Sequence, residues 1–176
     1  MRILDVGCNK RKTDGAIGID LLRLEGVDVV ADIEKSLFPF LDSSFDKVIC
    51  SHILEHVADL MGVMRELHRI TRPGGQVLIR VPYFASVGAF RDPTHKRFFT
   101  ARTFHYFVQG TGEFSLGYFD KPFQLLRLEL QFVREGKGKR FSLGAWLAKR
   151  NLSKYERHFS RLFPAREILC ELSVIK

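Results

Sequence analysis

Short apolar runs separated by turn-forming residues are the feature that most constrains the fold of this chain. Seven runs have the length and composition of β-strands: 3–6, 16–19, 27–31, 47–50, 76–81, 123–133 and 168–175. The first five are brief and almost wholly apolar, which is typical of parallel strands buried on both faces of a sheet. We therefore predict one domain over residues 1–176, an α/β fold with a doubly wound, mostly parallel seven-stranded sheet.

Three segments between these runs have helical character. Residues 58–71 carry apolar side chains at helical spacing and end at the turn-forming segment 72–75, so they predict a helix between the fourth and fifth strands. Residues 100–108 predict a short helix capped by Thr100, and residues 142–162 predict a longer one. The middle of the chain therefore predicts a strand, helix, strand unit.

The first connections are too short for ordinary crossover helices. Nine residues lie between Val6 and Ala16 and seven between Ile19 and Val27, whereas a parallel crossover usually needs about a dozen. We expect shortened early helices and one uncovered face on the first strands. Because exposed apolar surface costs about 25 cal/mol per Å², we predict that the C-terminal helix, a second copy in a homodimer, or another partner covers that face.

The positive charge is concentrated near the C-terminus. Residues 1–120 contain 15 Lys or Arg and 15 Asp or Glu, while residues 121–176 contain 13 and 5, which accounts for the whole net charge of +8. The excess lies in segment 134–140 and along the predicted helix 142–162. Such a surface attracts anionic lipid, nucleic acid or a phosphorylated substrate, although a solvated helix face explains it equally well.

The cysteines and the apolar runs indicate an intracellular chain. Cys8, Cys50 and Cys170 are odd in number and far apart, so they predict buried thiols and no disulfide framework or cysteine metal site. No run approaches the roughly 18 to 20 apolar residues of a membrane span, and the first strand follows Met1 without a leader. We expect a cytoplasmic protein, in contact with a membrane at most at its surface.

Glycine and polar residues follow each of the first four predicted strands. They are Gly7, Cys8 and Asn9 after the first, Asp20 after the second, Asp32 after the third, and Ser51 and His52 after the fourth. Parallel sheets bind ligands at the carboxyl ends of their strands. Each residue alone has a simpler explanation as a turn or a cap, but their order predicts a nucleoside site, in which Asp20 accepts hydrogen bonds from two ribose hydroxyls.

These segments resemble the class I S-adenosylmethionine-dependent methyltransferases, in particular the ubiquinone-methyltransferase-like, type 11 branch. The resemblance is continuous over residues 2–82. It is carried by Ile3-Leu4-Asp5-Val6-Gly7-Cys8, Gly18-Ile19-Asp20, Ala31-Asp32-Ile33, the segment 44–57, the segment 65–75 and, for one subgroup, the loop 91–100. Two features depart from the family pattern: Asn9 stands where a second glycine is usual, and residues 10–15 form a polar loop where a helix is usual.

The resemblance implies a Rossmann-like methyltransferase fold and S-adenosylmethionine as the cofactor. It implies methyl transfer to an unidentified small-molecule or lipid-linked acceptor. There are two alternatives: an RNA methyltransferase, and a protein that binds S-adenosylmethionine but has lost catalysis. The implied cofactor-binding residues are Asp5, Gly7, Cys8, Asn9, Asp20, Leu21, Asp32, Ile33, Ser51 and His52.

Two histidines are candidates for a general base. His95, in the loop that follows the fifth strand, is the first candidate, and His52 is the second. A hydrogen bond that pins the loop is the alternative role for His95. The segment His52-Ile53-Leu54-Glu55-His56 also matches a zinc protease pattern, but that pattern needs a helix where this sequence predicts the end of a strand. We therefore predict no metal site.

Overall fold

The protein is represented by a computed structural model that describes residues 1–35, 37–132 and 142–176. Its central element is a seven-stranded sheet in the order β3-β2-β1-β4-β5-β7-β6. The strands are β1 (Ile3–Val6), β2 (Ile17–Asp20), β3 (Val29–Val30), β4 (Phe45–Ser51), β5 (Thr71–Pro82), β6 (Phe123–Gln131) and β7 (Glu167–Val174). β7 pairs antiparallel with both of its neighbours, β5 and β6, and the pairings among β1 to β5 are parallel. The predicted fold class, a mostly parallel and doubly wound sheet, is confirmed.

Helix α1 (Leu60–Ile70) forms where the apolar periodicity predicts it. Asp59 caps its first turn, because the Asp59 carboxylate accepts a hydrogen bond from the backbone N–H of Gly62 at 2.9 Å. The helix connects β4 to β5 along the chain, and one of its faces is buried in the hydrophobic core. The helix ends directly at Thr71, the first residue of β5, so the fourth and fifth strands lie side by side as predicted.

The C-terminal helical region differs from its prediction. A single helix over residues 142–162 is wrong, because the chain forms α3 (Leu143–Arg150) and α4 (Leu152–His158). Asn151 separates them with an extended backbone, φ −160° and ψ 101°, and its side chain accepts a hydrogen bond from the N–H of Lys154 at 2.9 Å. An asparagine favours this capping geometry over the helix interior.

Three further short helices lie between β5 and β6, and the last of them is a single 3₁₀ turn, Phe114–Leu116. Residues Ala101–Phe107 form a 3₁₀ helix with Thr100 at its cap, close to the prediction. Helix α2 (Val87–Arg91) was not expected from the sequence, because five residues are too few to show a period. It begins at Ser86, whose hydroxyl accepts a hydrogen bond from the N–H of Ala89 at 3.2 Å.

The first connections lack helices. No described residue between β1 and β4 is helical, so the prediction of shortened early helices is confirmed. The prediction that the C-terminal helix covers the first strands is wrong: α3 contacts β6, at the opposite edge of the sheet from β3. Ile17 and Val30 on these strands are 39% and 45% exposed. Cover by a second copy or another partner stays a prediction, which light scattering of the purified chain tests.

The antiparallel strand β7 brings the C-terminal part of the chain to the carboxyl end of β5. Glu167, the first residue of β7, pairs with Pro82, the last residue of β5. The buried hydroxyl of Tyr155 donates to the carbonyl of Phe163 at 2.8 Å and accepts from the N–H of Ala165 at 3.0 Å. These bonds fix the segment that enters β7.

Other sequence-based expectations concern surface and charge. All three cysteines are buried and free. Within the described ranges, no helix is long and apolar enough to cross a lipid bilayer. The basic segment 134–140 lies outside the described residues, whereas the basic side chains of α3, α4 and the turn after them are exposed: Lys149, Arg150, Lys154, Arg157 and Arg161.

Candidate active site

Gly7 occupies a position at the end of β1 that needs a glycine. Its φ is +69°, a left-handed conformation. Its N–H donates to the carbonyl of Ile19 at 2.8 Å, which joins the ends of β1 and β2. A Cβ atom at this position would lie 2.7 Å from the side chain of Ile53. The close approach of Ile53 and the backbone angle therefore both exclude a side chain.

Asn9 takes the place of the usual second glycine and adopts a glycine-like backbone. Its φ is +49°, a conformation that asparagine tolerates better than most residues. Its N–H donates to the Oδ2 atom of Asp20 at 2.9 Å. Further along the loop, the N–H of Thr13 donates to Oδ2 of Asp5 at 2.7 Å. Asn9 and the polar loop 10–15 are thus tied to carboxylates on β2 and β1.

The first cavity, which we call the Asp20 cavity, has a volume of about 250 Å³. It brings together five of the predicted cofactor-binding residues: Gly7, Asp20, Leu21, Asp32 and Ile33. Its remaining apolar wall includes Ala31, Ile53 and Val57. The N–H of Glu34 donates to Asp32 at 3.0 Å, and this bond lowers the pKa of the Asp32 carboxyl. The cavity thus offers two carboxylates and an apolar wall.

The second cavity, the Asp5 cavity, has a volume of about 860 Å³. It contains the other five predicted residues, Asp5, Cys8, Asn9, Ser51 and His52, and it shares Gly7 with the Asp20 cavity. Volumes of about 300–1,000 Å³ are usual for small-ligand sites. All ten predicted cofactor-binding residues therefore line two cavities that meet at Gly7.

The third cavity, the His95 cavity, has a volume of about 760 Å³ and lies at the ends of β4, β5 and β7. Both predicted catalytic residues, His52 and His95, line it. His52 lines the Asp5 cavity as well. His52 therefore contributes to the walls of both of the two larger cavities.

His52 is the first residue after β4, as the sequence predicted, and it has a φ of +56°. Its side chain is 44% exposed, and its Nδ1 atom lies 3.2 Å from Oε1 of Glu55. This hydrogen bond raises the pKa of the His52 imidazole. On the other side, Nε2 lies 3.9 Å from a carboxylate oxygen of Glu167. The ring is therefore held between two acidic side chains.

His95 is held more tightly than His52. Its side chain is 7% exposed, and its Nδ1 atom lies 2.8 Å from the carbonyl oxygen of Ala89. Its Nε2 atom lies 4.0 Å from Oε1 of Glu55. The loop-pinning hydrogen bond considered from the sequence is present, with a backbone carbonyl of α2 as the acceptor.

Several lining residues were not identified from the sequence. Arg80, near the end of β5, lines the Asp5 cavity, and the strand-end rule applied to the fifth strand would have found it. Arg166 and Glu167 line the His95 cavity only because β7 runs antiparallel to β5. Glu55 reaches the same cavity from a turn after β4. No local pattern predicts Arg166 and Glu167 as lining residues. Glu55 belongs to the zinc protease pattern noted in the sequence, but that pattern does not predict its place in this cavity.

Comparison with known proteins agrees with this geometry. Residues 4–79 match the family model described as "Methyltransferase domain". The demethylmenaquinone methyltransferase of Bacillus velezensis is 34% identical over 76 residues, which are 43% of this chain and 29% of that protein. The ubiquinone biosynthesis O-methyltransferase of Pseudomonas syringae is 29% identical over 116 residues, half of each chain. The chain thus spans half or less of the length of these curated relatives.

Solved structures share the fold over almost the whole chain. An S-adenosylmethionine-dependent methyltransferase from Archaeoglobus fulgidus superposes with a TM-score of 0.62 at 19% identity, covering 98% of this chain and 85% of that one. A second, from Mesorhizobium loti, gives 0.57 at 16% identity, covering 98% and 90%. Residues 4–79 are thus similar to a methyltransferase domain, and the chain has the Rossmann-like fold of the class I S-adenosylmethionine-dependent methyltransferases.

Proposed function

We propose that this chain binds S-adenosylmethionine across the Asp20 and Asp5 cavities and transfers its methyl group to an acceptor in the His95 cavity. The observation that carries the proposal is the position of His52, which lines both the Asp5 cavity and the His95 cavity. A donor in one cavity and an acceptor in the other would meet beside this side chain.

The residues of the Asp20 cavity fit an adenosine. Each oxygen of Asp20 accepts one backbone N–H, from Leu22 at 3.0 Å and from Asn9 at 2.9 Å. A carboxylate has about four lone pairs, so Asp20 retains acceptors for two ribose hydroxyls. Leu21 and Ile33 form an apolar surface for the flat base. The absent side chain of Gly7 lets the ligand pass between the two cavities.

The Asp5 cavity would hold the amino-acid end of the cofactor. Its lining includes both a buried acid, Asp5, and basic side chains, Lys10 and Arg80. An ammonium group and a carboxylate group therefore both find opposite charges there. Together the two cavities supply partners for each part of the ligand.

The cofactor supplies an electrophilic methyl group bonded to a sulfonium. In-line displacement needs alignment and exclusion of water more than covalent help from the protein. We assign to His52 the role of the general base, which takes the proton from the group that is methylated. His52 lines both cavities, whereas the Nδ1 atom of His95 is hydrogen-bonded to Ala89. Changing His52 to Gln, which keeps a polar side chain in the wall of the Asp5 cavity, is expected to lower turnover about 100-fold. His158→Ala, on the exposed end of α4, is the matched control.

A small or lipid-linked acceptor fits the His95 cavity best. Its wall combines apolar residues, Pro82, Val87 and Pro164, with Arg91 and Arg166. The relatives named above include one named for demethylmenaquinone and one named for ubiquinone biosynthesis. We extend that acceptor chemistry to this chain as part of the proposal.

Contact with an anionic lipid surface accompanies this proposal. Trp146 on α3 is 48% exposed and lies beneath the guanidinium of Arg150, with 5.4 Å between the guanidinium carbon and the ring centroid. Exposed aromatic and basic side chains on neighbouring helical turns suit a membrane interface. Sedimentation with vesicles that contain anionic lipid, compared with neutral vesicles, tests this contact, and retention of RNA instead would support the RNA alternative.

The experiment that tests the function has two steps. Calorimetry with S-adenosylmethionine tests binding, and the absence of binding would refute the proposal. Incubation with methyl-labelled cofactor and separate lipid, small-molecule and RNA pools then tests transfer. We expect label in the lipid or small-molecule pool. Label in RNA would change the acceptor class, and binding without transfer to any pool would support a protein that only binds the cofactor.

A further inference from the structure

Three side chains in the wall of the His95 cavity cluster in a way that the proposed methyl transfer does not explain. Glu55 and His56 come from the turn after β4, and His95 comes from the loop after α2. Each offers a ligand atom, and the three atoms lie within 4.8 Å of one another. The rings of His56 and His95 are 4.7 Å apart and nearly perpendicular. Residues distant in sequence thus converge on one point.

The carboxylate of Glu55 lacks a partner on one oxygen. Glu55 is 1% exposed, and its Oε2 atom has no hydrogen-bond partner among the described residues. The other oxygen, Oε1, lies 3.2 Å from Nδ1 of His52 and 4.0 Å from Nε2 of His95. A buried carboxylate is strongly unfavourable unless it is hydrogen-bonded, paired with a positive charge or bound to a metal. The unpartnered oxygen of Glu55 therefore indicates that a cationic ligand binds beside it.

The hydrogen bonds of the two histidines leave a metal-binding nitrogen on each. A carbonyl oxygen can only accept, so Nδ1 of His95 donates to Ala89 and the neutral ring keeps a lone pair on Nε2. The hydroxyl of Thr94 donates to Asp92 at 2.7 Å and therefore accepts from Nδ1 of His56 at 2.9 Å. His56 then also keeps its lone pair on Nε2.

This arrangement is the one that supports metal ligands in proteins. A histidine that binds a metal through one nitrogen commonly donates its other N–H to a carbonyl or, directly or through a relay, to a carboxylate, which fixes the tautomer and the ring orientation. His95 has the carbonyl of Ala89 in this position, and His56 has the Thr94 hydroxyl, itself bonded to the Asp92 carboxylate. Both outer partners are therefore present.

We propose that Glu55, His56 and His95 bind a divalent transition-metal ion such as Zn²⁺. Two imidazoles and one carboxylate favour zinc and its neighbours over Mg²⁺ or Ca²⁺. Metal–ligand bonds of about 2.0–2.1 Å place tetrahedral ligand atoms about 3.3 Å apart. The three ligand atoms, which lie within 4.8 Å of one another, therefore approach by up to about 1.5 Å on binding. Three protein ligands leave a fourth position, which would face the His95 cavity.

The ligand set differs from the zinc protease pattern seen in the sequence. That pattern pairs His52 with His56 on one helix, but residues 52–56 are not helical and His52 has a positive φ. The third ligand is His95, which lies 39 positions further along the chain than His56. The proposed site does not depend on methyl transfer, and its test measures the metal directly.

The test is titration of the full-length, chelator-treated chain with Zn²⁺ by calorimetry, and with Co²⁺ by absorption. We expect one equivalent of Zn²⁺, and Co²⁺ absorption bands typical of a four-coordinate nitrogen and oxygen site. His95→Ala and Glu55→Gln are each expected to weaken Zn²⁺ binding by more than about tenfold, because each removes a ligand. His158→Ala, which changes an exposed histidine outside the cluster, is the matched control and is expected to bind like the wild type.

A second variant separates loss of the site from loss of the fold. Thr94 is exposed, so Thr94→Val is expected to fold normally and, by removing the partner of His56, to weaken binding about tenfold. Absence of stoichiometric Zn²⁺ binding to the wild type would overturn the proposal. Unchanged affinity in His95→Ala, Glu55→Gln and Thr94→Val would overturn it as well, since the metal would then bind elsewhere.

Discussion

The backbone N–H of Asn9 donates to the Oδ2 atom of Asp20 at 2.9 Å. This bond ties the loop after β1 to the carboxylate that ends β2, so Asp20 both shapes the site and lines the Asp20 cavity. The two roles lead to the first prediction.

Changing Asp20 to Ala is expected to weaken S-adenosylmethionine binding by about 1–3 kcal/mol, because hydrogen bonds to a charged acceptor are lost. Calorimetry measures the affinity. Asp14→Ala removes an exposed carboxylate from the same loop region and serves as the control. Equal affinities for wild type and Asp20→Ala would remove Asp20 from the cofactor site.

Gly7 and Gly15 form a matched pair for a backbone prediction. Both have positive φ, +69° and +74°, but a Cβ on Gly15 meets no atom within 4 Å, whereas a Cβ on Gly7 meets Ile53. Gly15→Ala is expected to lower the free energy of unfolding by about 1–2 kcal/mol, the cost of the left-handed backbone. Gly7→Ala adds overpacking of about 1–3 kcal/mol. Denaturant titration measures both, and equal losses would contradict the role of the Ile53 contact.

Tyr155 positions the segment that forms one wall of the His95 cavity. Its hydroxyl bonds the backbone of Phe163 and Ala165, and Pro164 and Ala165 line the cavity. Tyr155→Phe leaves these backbone groups without that partner, so we expect a loss of about 1–3 kcal/mol in the free energy of unfolding. Tyr118→Phe, at a side chain 63% exposed, is expected to change little. Thermal and denaturant unfolding of both variants measure these changes in the free energy of unfolding, and equal values for the two variants would contradict the role of Tyr155.

His68 on α1 makes the stability depend on pH. Its Nε2–H donates to the carbonyl of Ile175 at 2.9 Å, and burial lowers the pKa of this imidazole below its usual value. Nearby Lys176 adds to the lowering. The unfolded chain therefore binds a proton more readily than the folded chain, so His68 costs no stability well above pH about 6.5 and destabilises the fold as the pH falls through that value.

The comparison of wild type with His68→Gln isolates the contribution of His68 to the pH dependence of the free energy of unfolding. Unfolding measured at pH 7.5 and at pH 5.5 is expected to show a larger loss of stability for the wild type than for the variant. Contributions from other titrating groups cancel in the difference. An identical pH dependence in the two proteins would show that His68 has the same pKa in both states.

The sequence alone determined the elements whose signals are local. Short apolar runs predicted the strands, helical spacing predicted α1, and the residues directly after four strands predicted where Gly7, Asp20 and Asp32 would meet. This succeeds because the carboxyl ends of parallel strands lie at one edge of a sheet. In the structure, β3, β2 and β1 are neighbours in the sheet. The three residues that follow or end these strands therefore line one cavity.

Only the tertiary structure decided the features that depend on distant segments. The pairing of β7 with β5 brings Glu167 to within 3.9 Å of His52, and the loop after α2 brings His95 beside Glu55. The break at Asn151 depends on one side chain that caps a new helix. Periodicity in a sequence reports which face of an element is apolar, but it contains no information about which loops approach one another, because those contacts are set by packing of the whole chain.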